Sequence, residues 1–401
     1  SEPCPEPSSL RADKEIESDI IHQLSQIQVS NYESLVPSLI KYFEQKVAIF
    51  QAGQLNKFYS SWKELTSDPE ILETVSGQRI EFDQRPIQLN LPVQPNYSCK
   101  QGQFIDSEIQ NLLDKGVIVE STPELNEYIS PIFLRPKKDG SHRLILNLKC
   151  LNQSVTYQHF KMDTIWTAIR MMSPGCYMAS IDLKDAYYSV PIHKDDQKYL
   201  KFYWRGRLYQ YTCFPNGLAI CPRKFTKLLK PVFSNLRSLG HLSLIFIDDS
   251  YLQGADFSLC VKNVKDTVAL LDRVGLIIHP GKSVLEPTQK LVFLGFVLDS
   301  IKMVVSLTME KAHKIKEACL KLLQSQKTTI REVARVIGML TASFPGVMFG
   351  PLHYRNLDMD KTAALKFSRG NYNKTMTVSD KAKHELRWWI SSVETTFNVV
   401  S

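Results

Sequence analysis

Three aspartates in this sequence stand at the ends of short apolar runs. Asp248 and Asp249 follow Leu244–Ile247, and Asp182 follows Met178–Ile181. Apolar runs of this length are typical of buried strands. An unpaired carboxylate beside a buried strand is costly, so such residues need a partner, and a bound metal ion is one such partner. The alternative is a turn that uses Asp for its own backbone hydrogen bonds, which the Asp-Asp pair alone would favour.

The three carboxylates could bind metal ions together if the intervening elements bring their strands side by side in an antiparallel sheet. Carboxylates that converge in this way can hold two Mg²⁺ ions about 3.5–4 Å apart and support in-line displacement at phosphorus. A basic ribbon over residues 135–143, which includes Lys137 and Arg143 and turns at Asp139-Gly140, supplies cations that would neutralise a triphosphate. The alternative for the ribbon is a sheet edge that uses lysine for solubility.

The elements before these motifs are predicted to be mainly helical. Apolar spacing predicts helices over residues 16–27, 32–49 and 58–65, and a short strand over 78–82. A proline-rich stretch then predicts an extended connector from residue 84 to 101. Residues 1–95 are therefore expected to form a separate, mainly helical region that ends in this connector.

The middle of the chain alternates between helices and hairpins. Helices are predicted from Ile105 to Gly116, after the loop Phe214–Phe225 and over Thr267–Val274, with hairpins over Phe202–Cys213 and around Val292–Leu298. Beyond about Ser306 the pattern is purely helical, with a capping box at Thr329–Glu332 and a third helix from Ser379. This order indicates an α+β fold with a helical C-terminal part.

Composition narrows the class of protein. Hydrophobic residues make up 43% of the 401 residues, and the net charge of +8 favours a polyanionic partner. The eight cysteines form no C-x-x-C pair, which indicates a reducing, intracellular location, cytoplasmic or nuclear, rather than secretion. No apolar run reaches the roughly 18 residues of a membrane span, so no membrane partner is expected. The absent initiator Met suggests a fragment of a longer polyprotein.

Two other kinds of active site find little support in the sequence. A glycine-rich phosphate loop of the G-x-x-x-x-G-K-S/T type is absent, which argues against a P-loop NTPase. No Ser, His and Asp residues can be singled out as a hydrolytic triad.

The order of the motifs resembles that of a reverse transcriptase. After the basic ribbon come Asp182-x-x-Asp-Ala-Tyr-Tyr188, Phe214-Pro-Asn-Gly217, Phe246-Ile-Asp-Asp249, Gly281-Lys282 and Phe293-Leu-Gly295, within residues 100–300. The resemblance implies an α+β right-hand polymerase. Its fingers and palm, with a β-ribbon and an antiparallel sheet, would occupy residues 96–305, and a helical thumb or connection residues 306–401.

A narrower resemblance lies before the polymerase motifs. The stretch from Ala52 through Trp62 and Asp68 to Phe82 is similar to the region that precedes the polymerase in DIRS-type retrotransposons. Those elements pair the polymerase with a tyrosine recombinase. The resemblance implies that RNase H and recombinase are encoded elsewhere in the same element, and neither activity is assigned to this chain.

The resemblance assigns roles to individual residues. It implies that Asp182, Asp248 and Asp249 are the catalytic metal ligands, and that Lys282 is a general acid toward pyrophosphate. The nucleotide would contact Lys137, Arg143, Asp185, Ala186, Tyr187, Asn216 and Gly217, with the Tyr187 ring excluding a ribose 2′-hydroxyl. Phe293, Leu294 and Gly295 would form the primer grip. Two residues depart from the usual pattern, since Phe246 replaces a Tyr and Asn216 a Gln.

The implied reaction is RNA-directed DNA synthesis. Two Mg²⁺ ions, or Mn²⁺, would serve as cofactors, and the partners would be dNTPs, an RNA template, a DNA primer and the RNA–DNA hybrid. The alternative is a catalytically inactive or co-opted fold that binds nucleic acid without synthesis, although the intact carboxylates argue against it. A two-metal nuclease is less favoured because Tyr187 and the ribbon cations would serve no purpose there.

Overall fold

The N-terminal region is helical, as its apolar spacing predicts. The structure, a computed structural model, describes residues 20–136 and 142–400. Residues 20–26 are helical, and they are followed by α1 (Tyr32–Ala48), α2 (Tyr59–Leu65) and α3 (Pro69–Gly77). The Asp68 side chain caps α3 by accepting a hydrogen bond from the Glu70 amide, and Pro69 occupies the first turn, where no amide donor is required.

The strand predicted over residues 78–82 is wrong. Gln78 and Phe82 make only isolated bridges, the first to Ile192 and the second to Val155. Because each end of the segment bonds to a different part of the chain, no continuous ladder forms. The following connector contains no helix or strand, and it ends before its predicted end at residue 101 because the next helix begins at Cys99.

Helices also flank the strands and make up most of the C-terminal part. They are α4 (Cys99–Asp114), α5 (Ile165–Met171), α6 (Cys221–Ser238), α7 (Phe257–Arg273), α8 (Met309–Gln324), α9 (Ile330–Thr341), α10 (Arg355–Phe367) and α11 (Asp380–Ser392). The capping box of α9 and the start of α11 agree with the sequence prediction. Helix α10 was not predicted.

Two predicted helices begin earlier than their apolar spacing suggests. Helix α4 starts at Cys99 rather than Ile105, because the side chains of Ser98 and Gln101 form a capping box that satisfies its first amides. It ends as predicted near Gly116, whose φ of +68° suits a glycine at a helix terminus. Helix α7 starts at Phe257 rather than Thr267. The first turn of α4 carries too few apolar residues for spacing alone to detect, whereas the first turns of α7 are apolar and were missed by the prediction.

The strands are short and are grouped into small sheets. They are β1 (Ile118–Ser121), β2 (Ile132–Pro136), β3 (His142–Leu146), β4 (Tyr177–Asp182), β5 (Lys201–Trp204), β6 (Arg207–Tyr211), β7 (Leu242–Phe246), β8 (Asp249–Gly254), β9 (Val284–Thr288), β10 (Lys290–Phe293), β11 (Phe296–Asp299), β12 (Val304–Leu307), β13 (Thr328–Thr329), β14 (Thr375–Met376) and β15 (Asn398–Val399). The four-stranded sheets have the orders β7-β8-β4-β9 and β10-β11-β12-β15, and the three-stranded sheet is β1-β6-β5. The prediction of helices alone beyond Ser306 is therefore wrong in part.

The predicted hairpins are present wherever the structure describes them. Strands β5 and β6 turn at Arg205 and Gly206, and both residues have positive φ, as a two-residue hairpin turn requires. Strands β2 and β3 pair over their whole length. The predicted Asp139-Gly140 turn between them, with Lys137, lies outside the described residues.

The chain folds into two compact units, each with its own core. The first takes in residues up to 162, 181–252 and 261–286, and the second takes in 163–180, 253–260 and 287–401. Large side chains buried in the first unit include Trp62, Phe202, Phe225 and Tyr251. In the second unit the core includes Leu298, Val333, Leu386 and Trp389. Among the described residues, no helix combines the length and the apolar character that crossing a membrane requires.

Candidate active site

The three predicted carboxylates lie in the first unit, where two strands neighbour each other. Strand β4 ends at Asp182, and Asp249 begins β8, which is next to β4 in the sheet. The Leu183 amide donates to the Asp248 carbonyl at 2.9 Å, so the chain just beyond β4 is bonded to the β7–β8 turn. Ile247 in this turn has a φ of +56°. The structure therefore brings together carboxylates that are 66 residues apart in sequence (248 − 182).

The negative charge of the carboxylate cluster is only partly compensated by the protein. Burial raises the pKa of Asp249 to about 6, and repulsion by Asp248 and Asp182 adds to the rise. Burial likewise raises the pKa of Asp248, with Asp182 as the repelling neighbour. The folded environment therefore disfavours the ionised form of both Asp248 and Asp249. A cation bound between the carboxylates would relieve this repulsion.

Lys282 is the cation that faces the cluster. Its Nζ lies 3.8 Å from Asp182 Oδ2, and its charge lowers the pKa of both Asp248 and Asp249 without offsetting the rise. The side chain is 64% exposed, so it is not held in this position by burial. The His279–Lys282 turn carries it, and the His279 amide donates to the Asp182 carbonyl at 2.8 Å.

The oxygen donors of the cluster fit magnesium, although the side chains alone do not form a complete coordination shell. Within residues 20–136 and 142–400, no group of three or more His, Cys, Asp or Glu side chains is arranged as a metal-binding cluster. Mg²⁺ is usually held through one or two carboxylates and completes its octahedron with substrate phosphates and water. Asp182, Asp248 and Asp249 offer oxygen donors of this kind, and their repulsion provides the driving force.

A cavity of about 580 Å³ opens beside the carboxylates. Residues from both predicted sets line it: the nucleotide contacts Arg143, Asp185, Ala186, Tyr187 and Asn216, and the catalytic residues Asp182, Asp248 and Lys282. Lys137 lies outside the described residues. Gly217 is not among the lining residues; it has a φ of +101° and its carbonyl accepts a hydrogen bond from Asn152 Nδ2 at 2.8 Å. The predicted site is therefore largely assembled in one place.

The loop after β4 lines this cavity with Asp185 and Ala186. Asp185 has a φ of +49°, and Ala186 has φ −50° and ψ −49°. A left-handed residue followed by a right-handed one turns successive amides toward the same point, which creates a concavity suited to an anion. The loop geometry therefore agrees with a contact between this backbone and a phosphate.

The Tyr187 ring is held between aromatic neighbours. It meets the ring of Phe225 edge to face at 5.5 Å between centroids, and that of Phe214 at 6.5 Å. Burial raises the pKa of the Tyr187 hydroxyl, which therefore stays protonated at neutral pH. A rigid ring at the cavity wall can exclude a substituent by its shape. The next residue, Tyr188, receives a hydrogen bond from Asn216.

The predicted primer grip lies in the second unit and forms a hairpin turn there. Phe293 ends β10, Phe296 begins β11, and Leu294 and Gly295 have φ values of +48° and +78°. The Thr308 amide donates to the Gly295 carbonyl at 3.3 Å. This geometry is that of a tight two-residue turn.

Three cavity residues carry no signal in the sequence and were not predicted. Lys115, Lys184 and His279 line the cavity with the predicted residues. Lys115 follows the polar end of α4, and nothing in its local sequence marks it as different from any surface lysine. Its proximity to the site could be seen only after folding.

The fold is that of reverse transcriptase polymerases. Solved structures of the foamy viral protease-reverse transcriptase match 99% of this chain. In the complex with double-stranded DNA the TM-score is 0.65, at 19% identity over 73% of that protein, and in the complex with an RNA/DNA hybrid it is 0.64, at 18% identity over 48%. This likeness confirms the predicted fold class.

Sequence comparison identifies the central segment more narrowly. Residues 135–298 match the family model described as reverse transcriptase (RNA-dependent DNA polymerase). The chain is also similar to the Transposon Tf2-7 and Tf2-8 polyproteins of Schizosaccharomyces pombe, each 25% identical over 253 residues, or 62% of this chain. The matched part spans 18% of the length of those polyproteins.

Proposed function

We propose that this chain is the polymerase part of a retrotransposon reverse transcriptase. It would transfer a nucleotide from a dNTP to the 3′-hydroxyl of a primer paired with an RNA or DNA template. The observation that carries this proposal is the meeting of Asp182, Asp248 and Asp249 beside a cavity whose lining also includes arginine and lysine side chains. A purely structural acidic cluster would be neutralised by paired cations within the protein.

Different residues are proposed to bind the metal ions, bind the triphosphate and protonate the pyrophosphate. When bound at Asp182, Asp248 and Asp249, two Mg²⁺ ions, or Mn²⁺, would activate the primer hydroxyl and neutralise the developing phosphate charge. Arg143 and the backbone of Asp185 and Ala186 hold the triphosphate, and Lys137 is assigned the same role. Lys282, close to Asp182, is suited to protonate the departing pyrophosphate.

Tyr187 is proposed to select the sugar. The rings of Phe214 and Phe225 prevent it from swinging away from the cavity, so a ribose 2′-hydroxyl would collide with it. We expect that Tyr187→Val lowers the preference for dNTP over rNTP by at least about tenfold, since the pocket loses the bulk that excludes one hydroxyl. Competition between the two nucleotides in primer extension measures this preference, and unchanged selectivity would remove the gate role.

The remaining assignments complete the proposal. Residues 96–305 serve as fingers and palm, residues 306–401 as thumb or connection, and Phe293, Leu294 and Gly295 as the primer grip. Asn216 and Gly217 lie beneath the nucleotide. The element is of the DIRS type, with RNase H and tyrosine recombinase encoded elsewhere in it, and the protein acts inside the cell.

Primer extension tests the function directly. Purified protein with Mg²⁺ and dNTPs should lengthen a DNA primer on an RNA template. The second candidate, a nucleic-acid-binding module, predicts hybrid binding without extension under Mg²⁺ or Mn²⁺. That outcome would overturn the polymerase assignment and leave the fold unaffected.

A further inference from the structure

Lys115 makes an ion pair inside the cavity. Its Nζ lies 3.0 Å from Asp185 Oδ2, and the side chains of Lys115 and Asp185 are only 28% and 16% exposed. Lys184 is farther away, with its Nζ 3.8 Å from Asp185 Oδ1. Lys115 is therefore the close partner of this carboxylate.

The backbone holds Lys115 firmly in this position. The Lys115 amide donates to the Asn111 carbonyl at 3.2 Å, and its own carbonyl accepts a hydrogen bond from the Ala52 amide at 2.8 Å. The next carbonyl, that of Gly116, accepts a bond from Thr212 Oγ1 at 2.6 Å. These contacts fix the backbone at the base of the Lys115 side chain, and the ion pair with Asp185 gives the position of its ammonium.

Asp185 is an unexpected residue for an anion-binding turn. Its backbone has a positive φ and is followed by the right-handed Ala186, a combination in which successive amides can converge on one anion. The same residue carries a carboxylate, which would repel a triphosphate brought to those amides. Asn would keep the left-handed backbone without the charge. A cation that cancels the carboxylate therefore matters for any anion bound at this turn.

We propose that Lys115 is a positioning residue for the incoming nucleotide, because it neutralises Asp185 and so allows the Asp185–Ala186 turn to accept the triphosphate. Lys115 acts through Asp185 and is not assigned a direct contact with phosphate. The inference rests on the proposed polymerase function, to which it adds a residue that the family motifs do not include.

The experiment is a double-mutant cycle read by steady-state primer extension. Lys115→Met should raise the KM for dNTP by about tenfold or more and change kcat little, because ground-state triphosphate binding is lost. The Kd for the RNA–DNA hybrid should not change. In the Asp185→Asn background, removal of Lys115 should alter the KM by less than about threefold.

The KM values of the variants distinguish an indirect role of Lys115 from direct phosphate binding and from no role. An equal rise in KM in both backgrounds would overturn the proposal, because Lys115 would then bind phosphate directly. An unchanged KM in Lys115→Met would also overturn it. If Lys115→Met does not fold, the comparison of Asp185→Asn with Lys115→Met/Asp185→Asn still decides, since neither leaves Asp185 charged: a large difference in KM contradicts the proposal.

Two controls complete the design. Arg207→Met breaks the exposed pair with Glu120, 3.5 Å apart and outside the cavity lining, and should leave the KM for dNTP unchanged. Failure of the wild-type protein to extend a primer would count against the proposed function itself. Extension by the wild type with a normal KM in Lys115→Met would count against the role of Lys115 alone.

Discussion

In two groups of charged side chains in the first unit, the pKa of a carboxyl group is shifted in opposite directions. Glu70, on α3, receives Arg223 Nη1 at 2.8 Å and Lys224 Nζ at 3.1 Å on one oxygen, and Lys227 on the other. Partial burial alone would raise the pKa of Glu70, but hydrogen bonds from these three cations outweigh it and lower the pKa to about 2. At the strand ends, burial and mutual repulsion instead raise the pKa of Asp249 to about 6.

The difference separates a cluster whose charge is neutralised within the protein from one whose charge is not. The Glu70 cluster joins α3 to α6 and satisfies every charge within the protein, so it needs no ligand. The aspartates at β4 and β8 repel one another, and the charges of Lys282 and Arg143 offset this repulsion only in part, so they remain open to an added cation. Perturbed pKa values occur in both kinds of site, and the direction of the shift distinguishes them here.

The largest expected effect comes from removing one carboxylate of the strand-end cluster. Asp248→Asn should reduce primer extension by at least about a thousandfold, since a lost metal ligand removes several kcal/mol of transition-state stabilisation. The Tm should stay equal or rise, because repulsion is relieved. Asp195→Asn, at an exposed pair with Arg79, is the matched control. Extension within tenfold of wild type would exclude Asp248 as a ligand.

Removing the Glu70 charge should lower the stability of the protein and leave primer extension unchanged. Glu70→Gln should lower the free energy of unfolding by about 2 kcal/mol, because three cations lose their shared partner. Extension per folded molecule should not change. Glu73→Gln on the same helix is the control, since Glu73 is exposed. Thermal or urea unfolding measures both variants, and equal stabilities would remove Glu70 from its structural role.

Low pH should remove the contribution of Glu70 to the free energy of unfolding. The folded-state pKa of about 2 lies below the ordinary value of 4.5, so the stabilisation is present above about pH 4.5 and is lost as pH falls toward 2. By pH 3 the stability difference between wild type and Glu70→Gln should fall to less than about half its neutral value. Urea unfolding at several pH values tests this, and a constant difference would contradict the assigned pKa.

The smallest expected effect is the response of the unreacted protein to magnesium. Mg²⁺ at ten times its Kd should stabilise the wild type by about 1.4 kcal/mol. The same addition should change the Tm of Asp248→Asn much less, while Glu70→Gln should respond like wild type. Thermal scans with and without Mg²⁺ measure the shift. An equal shift in Asp248→Asn would mean that the ion binds elsewhere.

Local patterns accounted for much of the fold. The β7–β8 hairpin, the α9 capping box and the turn at Arg205-Gly206 follow from residue types within a few positions, and all were predicted. The errors at Gln78–Phe82 and at the start of α4 have another origin. There the decisive partners are distant bridges or a polar cap, neither of which alters apolar spacing.

The sequence by itself determined which residues are candidates for the chemistry, since carboxylates at strand ends, a flanking aromatic and a basic ribbon are readable as ordered motifs. Only the tertiary structure decided how their charges are balanced. A pKa depends on neighbours within a few ångströms, and folding supplies these from remote segments. Lys115 illustrates the point, because its partner Asp185 lies 70 residues away (185 − 115). So does Glu70, whose three cations come from α6.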